Sequence, residues 1–263
     1  MARVTTEIRD HIAHVTLTRG DKMNGVDAEM AKAIVAAGAA LCNNETIRAV
    51  VLSGEGRAFC AGLDVQSFAM LAGQDPQAAI MPRLEGRDSN LYQEIALVWR
   101  RVPVPVIASL HGVVFGAGFQ LALGADIRIA HPETQMAVME MKWGLVPDMG
   151  GMVLMPALMR SDVIRRMTYT AEPVSARQGL DWGFVSELAD DPLAAAQALA
   201  GVIAGKSPSA VRAAKRLIGV AESGAPEAEV LLAESREQAD LVGGAHQMEV
   251  IAANMQKRAP KFD

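Results

Sequence analysis

The stretch VPVIASLHGVVFGAGFQLALGADIRIA, Val104 to Ala130, decides how the chain folds. Its β-branched residues cluster first and its glycines later. That order predicts a buried strand over Val104–Leu110, a tight connection, a buried helix near Gly118–Leu123 and a further strand over Asp126–Ala130. Val102 to Ala125 is a run of 24 residues without a charge, long enough to cross a bilayer as a helix. Pro103 and Pro105 open that run, Gly112, Gly116, Gly118 and Gly124 interrupt it, and His111 and Gln120 would be polar groups in lipid. The stretch therefore predicts the inside of an α/β domain and no membrane partner.

The flanking sequence continues the alternation. Ile12, Val15 and Leu17 alternate with short polar residues over His11–Thr18, a strand pattern, and Arg19-Gly20-Asp21 supplies a turn. Asp27 is placed to cap a helix whose Met30, Ala33, Ile34, Ala37 and Leu41 recur at helical spacing. Arg48–Ser53 reads as a second buried strand closed by Gly54-Glu55-Gly56, so strand, helix and strand form a βαβ unit. Leu71 to Asn90 shows no sustained period. Beyond Asp191 four segments, Ala194–Ala204, Ser207–Ala221, Glu227–Val242 and Ala245–Lys257, read as helices. This predicts a core over 1–191 and a C-terminal helical region over 192–263.

Composition bounds the function. Apolar residues make up 51% and charged residues 21% of 263 residues, which excludes disorder as the main state. Lys plus Arg number 25 against 30 for Asp plus Glu, and no basic run exceeds a pair, so a nucleic-acid partner is excluded. Cys42 and Cys60 supply neither a disulfide framework nor a metal site. Arg3, Glu7, Arg9 and Asp10 occupy the region where a secretory signal needs an apolar core. The expectation is a cytoplasmic protein.

Several motifs fail on inspection. Gly201 to Ser207 is one residue short of a phosphate loop, and Gly116-Ala117-Gly118 lacks the third glycine of a dinucleotide fingerprint at Leu121. No serine sits in a nucleophile elbow, and Cys60 has no evident base, so it reads as a small buried thiol. His111, after a buried strand, reads as a residue satisfying backbone partners. Met139, Met141 and Trp143 read as residues packing the acyl pocket or the core and the Arg100-Arg101 and Arg165-Arg166 pairs as surface charges. What remains is a pair of glycine-bearing turns after apolar strands, Phe59–Asp64 and His111–Gly118. Each can present backbone N–H groups, the second at the positive end of a helix, where a developing oxyanion is favoured.

Arg57-Ala58-Phe59-Cys60-Ala61-Gly62-Leu63-Asp64, then His111-Gly112 through Gly116-Ala117-Gly118-Phe119-Gln120-Leu121-Ala122, then Ala125-Asp126-Ile127, then Glu140 to Gly151, resembles the crotonase (enoyl-CoA hydratase/isomerase) superfamily. Lys22-Met23-Asn24 matches its early turn, and Ser175 to Leu180 with Gly183-Phe184-Val185 its later helix-turn segment. The resemblance spans nearly the whole chain. It implies a crotonase-like α/β spiral of ββα units with a C-terminal helical oligomerisation region, trimers or pairs of trimers, and an acyl-CoA thioester substrate whose enolate is stabilised in an oxyanion hole. Coenzyme A would then be part of the substrate, with no separate cofactor and no metal.

Carried over by position, the resemblance puts the oxyanion N–H donors on Leu63 and Ala117. Contacts to coenzyme A or the acyl group fall on Lys22, Met23, Gly25, Ala61, Gly62, Asp64, Val65, Phe115, Gly116, Gly118, Met139 and Pro147. Gln66 stands where some relatives have a lysine. Hydratases of the family usually present two glutamates around one water, at positions matching Gln120 and Glu140. An amide cannot exchange protons near neutral pH, so Gln120 leaves hydration short of one acid and would position substrate or water instead.

Asp148, eight residues after Glu140, resembles the dienoyl-CoA isomerases, whose third acid is also replaced here by Gln120. By local pattern alone, Asp148 is equally a turn or helix-cap residue and Glu140 a solvated charge at a helix end. The catalytic set is thus Glu140, Asp148 and Gln120, and the expectation is a double-bond isomerase. Enoyl-CoA hydration is the alternative, and a non-catalytic thioester-binding protein the alternative of another class.

Overall fold

The computed structural model describes residues 2–64 and 75–262. Residues β1 (Val4–Arg9) and β2 (Ile12–Leu17) form an antiparallel hairpin, and β2 runs parallel to β3 (Ala49–Gly54). Next come β4 (Val106–Leu110), β6 (Ile127–Ala130) and β9 (Glu187–Leu188), giving one sheet of order β1-β2-β3-β4-β6-β9. A second sheet joins β5 (Val113–Phe115), β7 (Gln135–Ala137) and β8 (Val174–Ser175) in the order β5-β7-β8. The chain visits the large sheet, then the small one, then a helix, and repeats. Single bridges at Val26↔Leu63 and Cys60↔Val114 extend the same path toward the amino-terminal side. This is the ββα spiral that the resemblance implies.

The helices before β6 are α1 (Ala28–Cys42), α2 (Pro76–Ile80), α3 (Leu91–Arg101) and α4 (Ala117–Leu123). Asp27 caps α1 by accepting the Met30 N–H at 2.7 Å. After β7 follow α5 (Gly151–Leu158), α6 (Ser161–Thr170) and α7 (Ala176–Trp182). The carboxyl-terminal helices are α8 (Pro192–Ala204), α9 (Pro208–Glu222), α10 (Glu227–Leu241) and α11 (Ala245–Met255), close to the four read from sequence.

Period-two burial explains why the central strands lack polar faces. Val50 and Leu52 of β3, and Val106, Ala108 and Leu110 of β4, point into the main core with α1, α3 and α4. Ala49, Val51 and Ile107 point the other way, beneath Ala196, Ala200 and Ala204 of α8. A sheet covered on both faces buries both sets of side chains. The alanines of α8 let it lie close on that outer face, so this helix belongs physically to the sheet although it opens the 192–263 segment.

Four features of the sequence reading change. The charged start forms β1, an edge strand with only its first residue half-buried, so burial leaves no mark on its composition. Val113–Phe115, read as connection, pairs in the small sheet. Part of the stretch from Leu71 to Asn90 forms α2. Trp143 and Met141 are not core residues: they are 53% and 38% exposed in the chain. Among the described residues no helix is long and apolar enough to cross a membrane.

Candidate active site

Two turns meet at the opening of α4. Ala61 N–H donates to Met23 O at 2.9 Å, Val26 N–H to Gly62 O at 2.8 Å, and Asp64 N–H to Val26 O at 2.9 Å. In this parallel bridge the peptide groups on either side of Leu63 are consumed, which turns the Leu63 N–H to the opposite side. On the neighbouring turn, Phe115 N–H donates to Cys60 O and Gly116 N–H to Ala137 O, while Ala117 begins α4 as its first helical residue. An N–H at that position has no partner within the helix. Among the described residues neither the Leu63 nor the Ala117 N–H donates to another group. Gly62, at φ +102°, permits the close approach: a Cβ there would lie 2.9 Å from Phe115 O and 3.9 Å from the Ala117 nitrogen.

The early turn is held to this point by ionic contacts. Arg19 Nη1 lies 2.6 Å from Asp64 Oδ2 and 3.5 Å from Asp27 Oδ2, and donates to Gly25 O at 2.9 Å. Asn24, fully buried, accepts from the Arg19 N–H and donates to Glu55 O and Ala58 O. Lys22, Met23, Gly25, Ala61, Gly62 and Asp64 are thereby gathered along one edge, with Lys22 exposed. Asp64 holds the fold through Arg19. The clamp by Arg19 was missed because its partners are eight and 45 residues away. Val65 and Gln66 lie outside the described residues.

Glu140 begins a short 3-10 turn, Glu140–Trp143, after β7. Its Oε1 accepts from Gln120 Nε2 at 2.6 Å. A Cβ at Gly116 would sit 3.4 Å from the same oxygen, so the carboxylate lies beside the turn carrying the Ala117 N–H. Among the described residues the other oxygen, Oε2, is buried without a hydrogen-bond partner. Glu140 is therefore no solvated helix-end charge. Burial raises its pKa above the ordinary glutamate value, nearby backbone N–H groups and the Gln120 amide partly offset that rise, and Asp148 adds to it.

Asp148 lies on the connection to α5, between buried Pro147 and Met149, and is exposed in the chain. Protein packed around its carboxyl nevertheless raises its pKa by desolvation. It is not a helix cap: the N-cap residue of α5 is Gly150, with no side-chain cap. That role falls to Gln120. Its amide oxygen accepts from Met149 N–H and Gly151 N–H, each at 2.9 Å. Gln120, fully buried, thus gives its oxygen to α5 and one amide N–H to Glu140. These contacts give Gln120 a role in holding Glu140 and α5 beside the expected one of positioning a water or substrate.

Phe115, Gly116, Gly118 and Met139 flank the same point through β5, α4 and the residue before the Glu140 turn. Cys60 is the inert thiol foreseen: its Sγ donates to Asn24 O, and burial pushes its pKa up to about 12. His111 hydrogen-bonds through Nε2 with Gly56 O at 3.0 Å.

Residues 7–263 match the family model described as enoyl-CoA hydratase/isomerase. The chain belongs to this family. It is 29% identical to the 1,2-epoxyphenylacetyl-CoA isomerase of Escherichia coli K12 over all of this chain and 98% of that protein. It is 33% identical to the mitochondrial Δ(3,5)-Δ(2,4)-dienoyl-CoA isomerase of Rattus norvegicus, covering 80% of this chain and 66% of that protein. A solved enoyl-CoA hydratase from Polaromonas sp. JS666 superposes with a TM-score of 0.87 at 27% identity, covering 99% of both chains. Family members acting on acyl-CoA thioesters by isomerisation and by hydration are both among its relatives, and this chain is an acyl-CoA enzyme of that kind.

Proposed function

We propose that this enzyme shifts a carbon–carbon double bond in an enoyl- or dienoyl-CoA thioester. The Leu63 and Ala117 N–H groups hold the thioester oxygen, where negative charge develops. Glu140 removes a proton from carbon, and the C–H electron pair passes through the conjugated chain to that oxygen as an enolate. The carboxylic acid form of Asp148 returns a proton to a different carbon as the enolate collapses, so the substrate's composition is unchanged. Glu140 ends protonated and Asp148 ionised, and exchange with solvent restores both. Desolvation displaces the pKa of each carboxyl upward, which supports their roles as proton acceptor and proton donor.

One observation carries this reading above hydration: among the described residues a buried carboxylate oxygen of Glu140 is without a partner beside two unspent N–H groups, while an amide, Gln120, stands where hydration needs a second acid. Lys22, Met23, Gly25, Ala61, Gly62, Gly118, Met139 and Pro147 would line the path of the coenzyme and acyl chain. A homotrimer or dimer of trimers in the cytoplasm accompanies the proposal, supported by exposed Leu231, Leu232, Ile251 and Met255 on α10 and α11. Light scattering of the purified protein tests the assembly.

Purified protein is incubated with a 2-enoyl-CoA, a 3-enoyl-CoA and a 3,5-dienoyl-CoA while ultraviolet absorbance is followed. Growth of conjugated enoyl or dienoyl absorbance from the second or third substrate is the expected result. Loss of 2-enoyl absorbance as the dominant reaction would replace isomerisation by hydration. Saturable binding without turnover of any of the three would leave a thioester-binding protein.

A further inference from the structure

We infer that Gln120 is a positioning residue that acts through Glu140, fixing which carboxylate oxygen exchanges the proton and tying that carboxylate to the turn bearing Asp148. The inference deepens the proposed function and rests on it only for the identity of the reaction. Three hydrogen bonds carry it. Gln120 Nε2 donates to Glu140 Oε1 at 2.6 Å, and Gln120 Oε1 accepts from Met149 N–H and Gly151 N–H at 2.9 Å. The last two bonds fix the amide's orientation, because its oxygen must face the two donors and its NH₂ must then face the carboxylate.

A carboxylate so gripped at Oε1 leaves Oε2 as its free basic atom, and Oε2 is the buried oxygen without a partner among the described residues. An orphaned buried oxygen is costly and is retained where chemistry uses it. The same amide joins three elements: α4, which opens at Ala117; the 3-10 turn, which opens at Glu140; and α5, whose first N–H it caps in place of a side chain at Gly150. Gly151 has no room for a side chain, since a Cβ there would lie 2.7 Å from Gln120 Oε1. The separation of the two carboxyls is therefore set by one fully buried side chain.

Few other charges bear on Glu140. Asp148 opposes its ionisation, and Lys142 lies in its own turn. Helix α6, packed against that turn, carries Asp162, which pairs with Arg160, Arg165, which bonds Ser161 and Tyr169, and Arg166, which lies over the Trp182 ring. Helix α4 and strand β5 carry no titratable group.

The test uses two variants. Gln120→Glu keeps an acceptor for Met149 and Gly151 but places a second carboxylate oxygen against Glu140, so the two share a proton. Gln120→Met keeps the volume and removes every bond. The titration of Glu140 is read in each by infrared spectroscopy of the carboxylate stretch, with the spectrum of the matching protein that also carries Glu140→Gln subtracted. Both variants are expected to titrate higher than the parent, Gln120→Glu by more than a unit, as for other like-charged carboxyl pairs. In turnover assays kcat falls about 10²-fold in Gln120→Met, the size expected of a misplaced group, with KM within about twofold.

An unchanged Glu140 titration in both variants overturns the inference, whatever their thermal stability. So does a loss confined to KM. If the parent turns over no acyl-CoA, the proposed function fails while the infrared titration still decides the role of Gln120.

Discussion

Replacing Gly62 with alanine tests the oxyanion arrangement without touching an ionisable group. Gly62 sits at φ +102°, a conformation that costs a residue with a Cβ about 1–3 kcal/mol. The added methyl would also stand 2.9 Å from Phe115 O, a backbone oxygen that cannot rotate away. Forcing an atom into packed surroundings costs about a further 1–3 kcal/mol. Relief comes by separating the turn at Gly62–Leu63 from the turn at Phe115–Ala117, which parts the two N–H donors.

The expected outcome for Gly62→Ala is a destabilisation of about 2–6 kcal/mol in denaturant unfolding, together with a kcat loss of about 10²- to 10³-fold, the usual effect of losing one oxyanion donor. Activity is followed by absorbance on the acyl-CoA substrate that the parent turns over, below the melting temperature of the variant. A folded variant with parental kcat would refute the reasoning, because it would mean that the spacing of these turns does not govern catalysis.

Glu140→Gln should lower kcat by about 10²- to 10⁴-fold in the same assay. In the parent, activity should rise with pH through a pKa above the ordinary glutamate value, since Glu140 must be ionised to accept the proton. Stability runs the opposite way. A carboxyl whose folded pKa is raised destabilises the fold above that pKa, and the penalty fades as pH falls toward the unfolded value of 4.5. Glu140→Gln should therefore raise Tm at pH 7, with a gain that disappears near pH 4.5 in thermal melts. Cys60 should resist iodoacetamide at pH 8 in the folded protein and react after unfolding, as read by mass spectrometry, because its buried thiol titrates only at about 12. Arg19→Ala should cost about 3 kcal/mol in chemical unfolding by removing the guanidinium's contacts to Asp64, Asp27 and Gly25 O, and Arg19→Lys should not restore it fully, since an ammonium cannot replace the guanidinium fork.

The parts of the fold that were legible in sequence are those where burial shapes composition. Strands β3 and β4 lie under helices on both faces, so Val50-Val51-Leu52 and Val106-Ile107 show as unbroken apolar runs. Asp27 is legible as a cap because its bond to Met30 is three residues long. β1 and β5 escaped for physical reasons: an edge strand buries little, and a three-residue strand between Gly112 and Gly116 is too short to show a period. The site was legible as far as glycine turns and the positions of Glu140 and Asp148. Pairings across the fold left no local mark, above all Arg19 with Asp64 and Gln120 with the start of α5.

The amide at position 120 bears on why we propose isomerisation. Hydration needs two groups that both exchange protons with one water, whereas moving a double bond needs two such groups at separate carbons. A carboxylate at 120 would lie 2.6 Å from Glu140 Oε1, where two like charges cannot both be held, so one proton would be shared and neither group would act independently. With an amide there, the nearest acid to Glu140 becomes Asp148, on a separate turn, and each carboxyl can hold its own proton state.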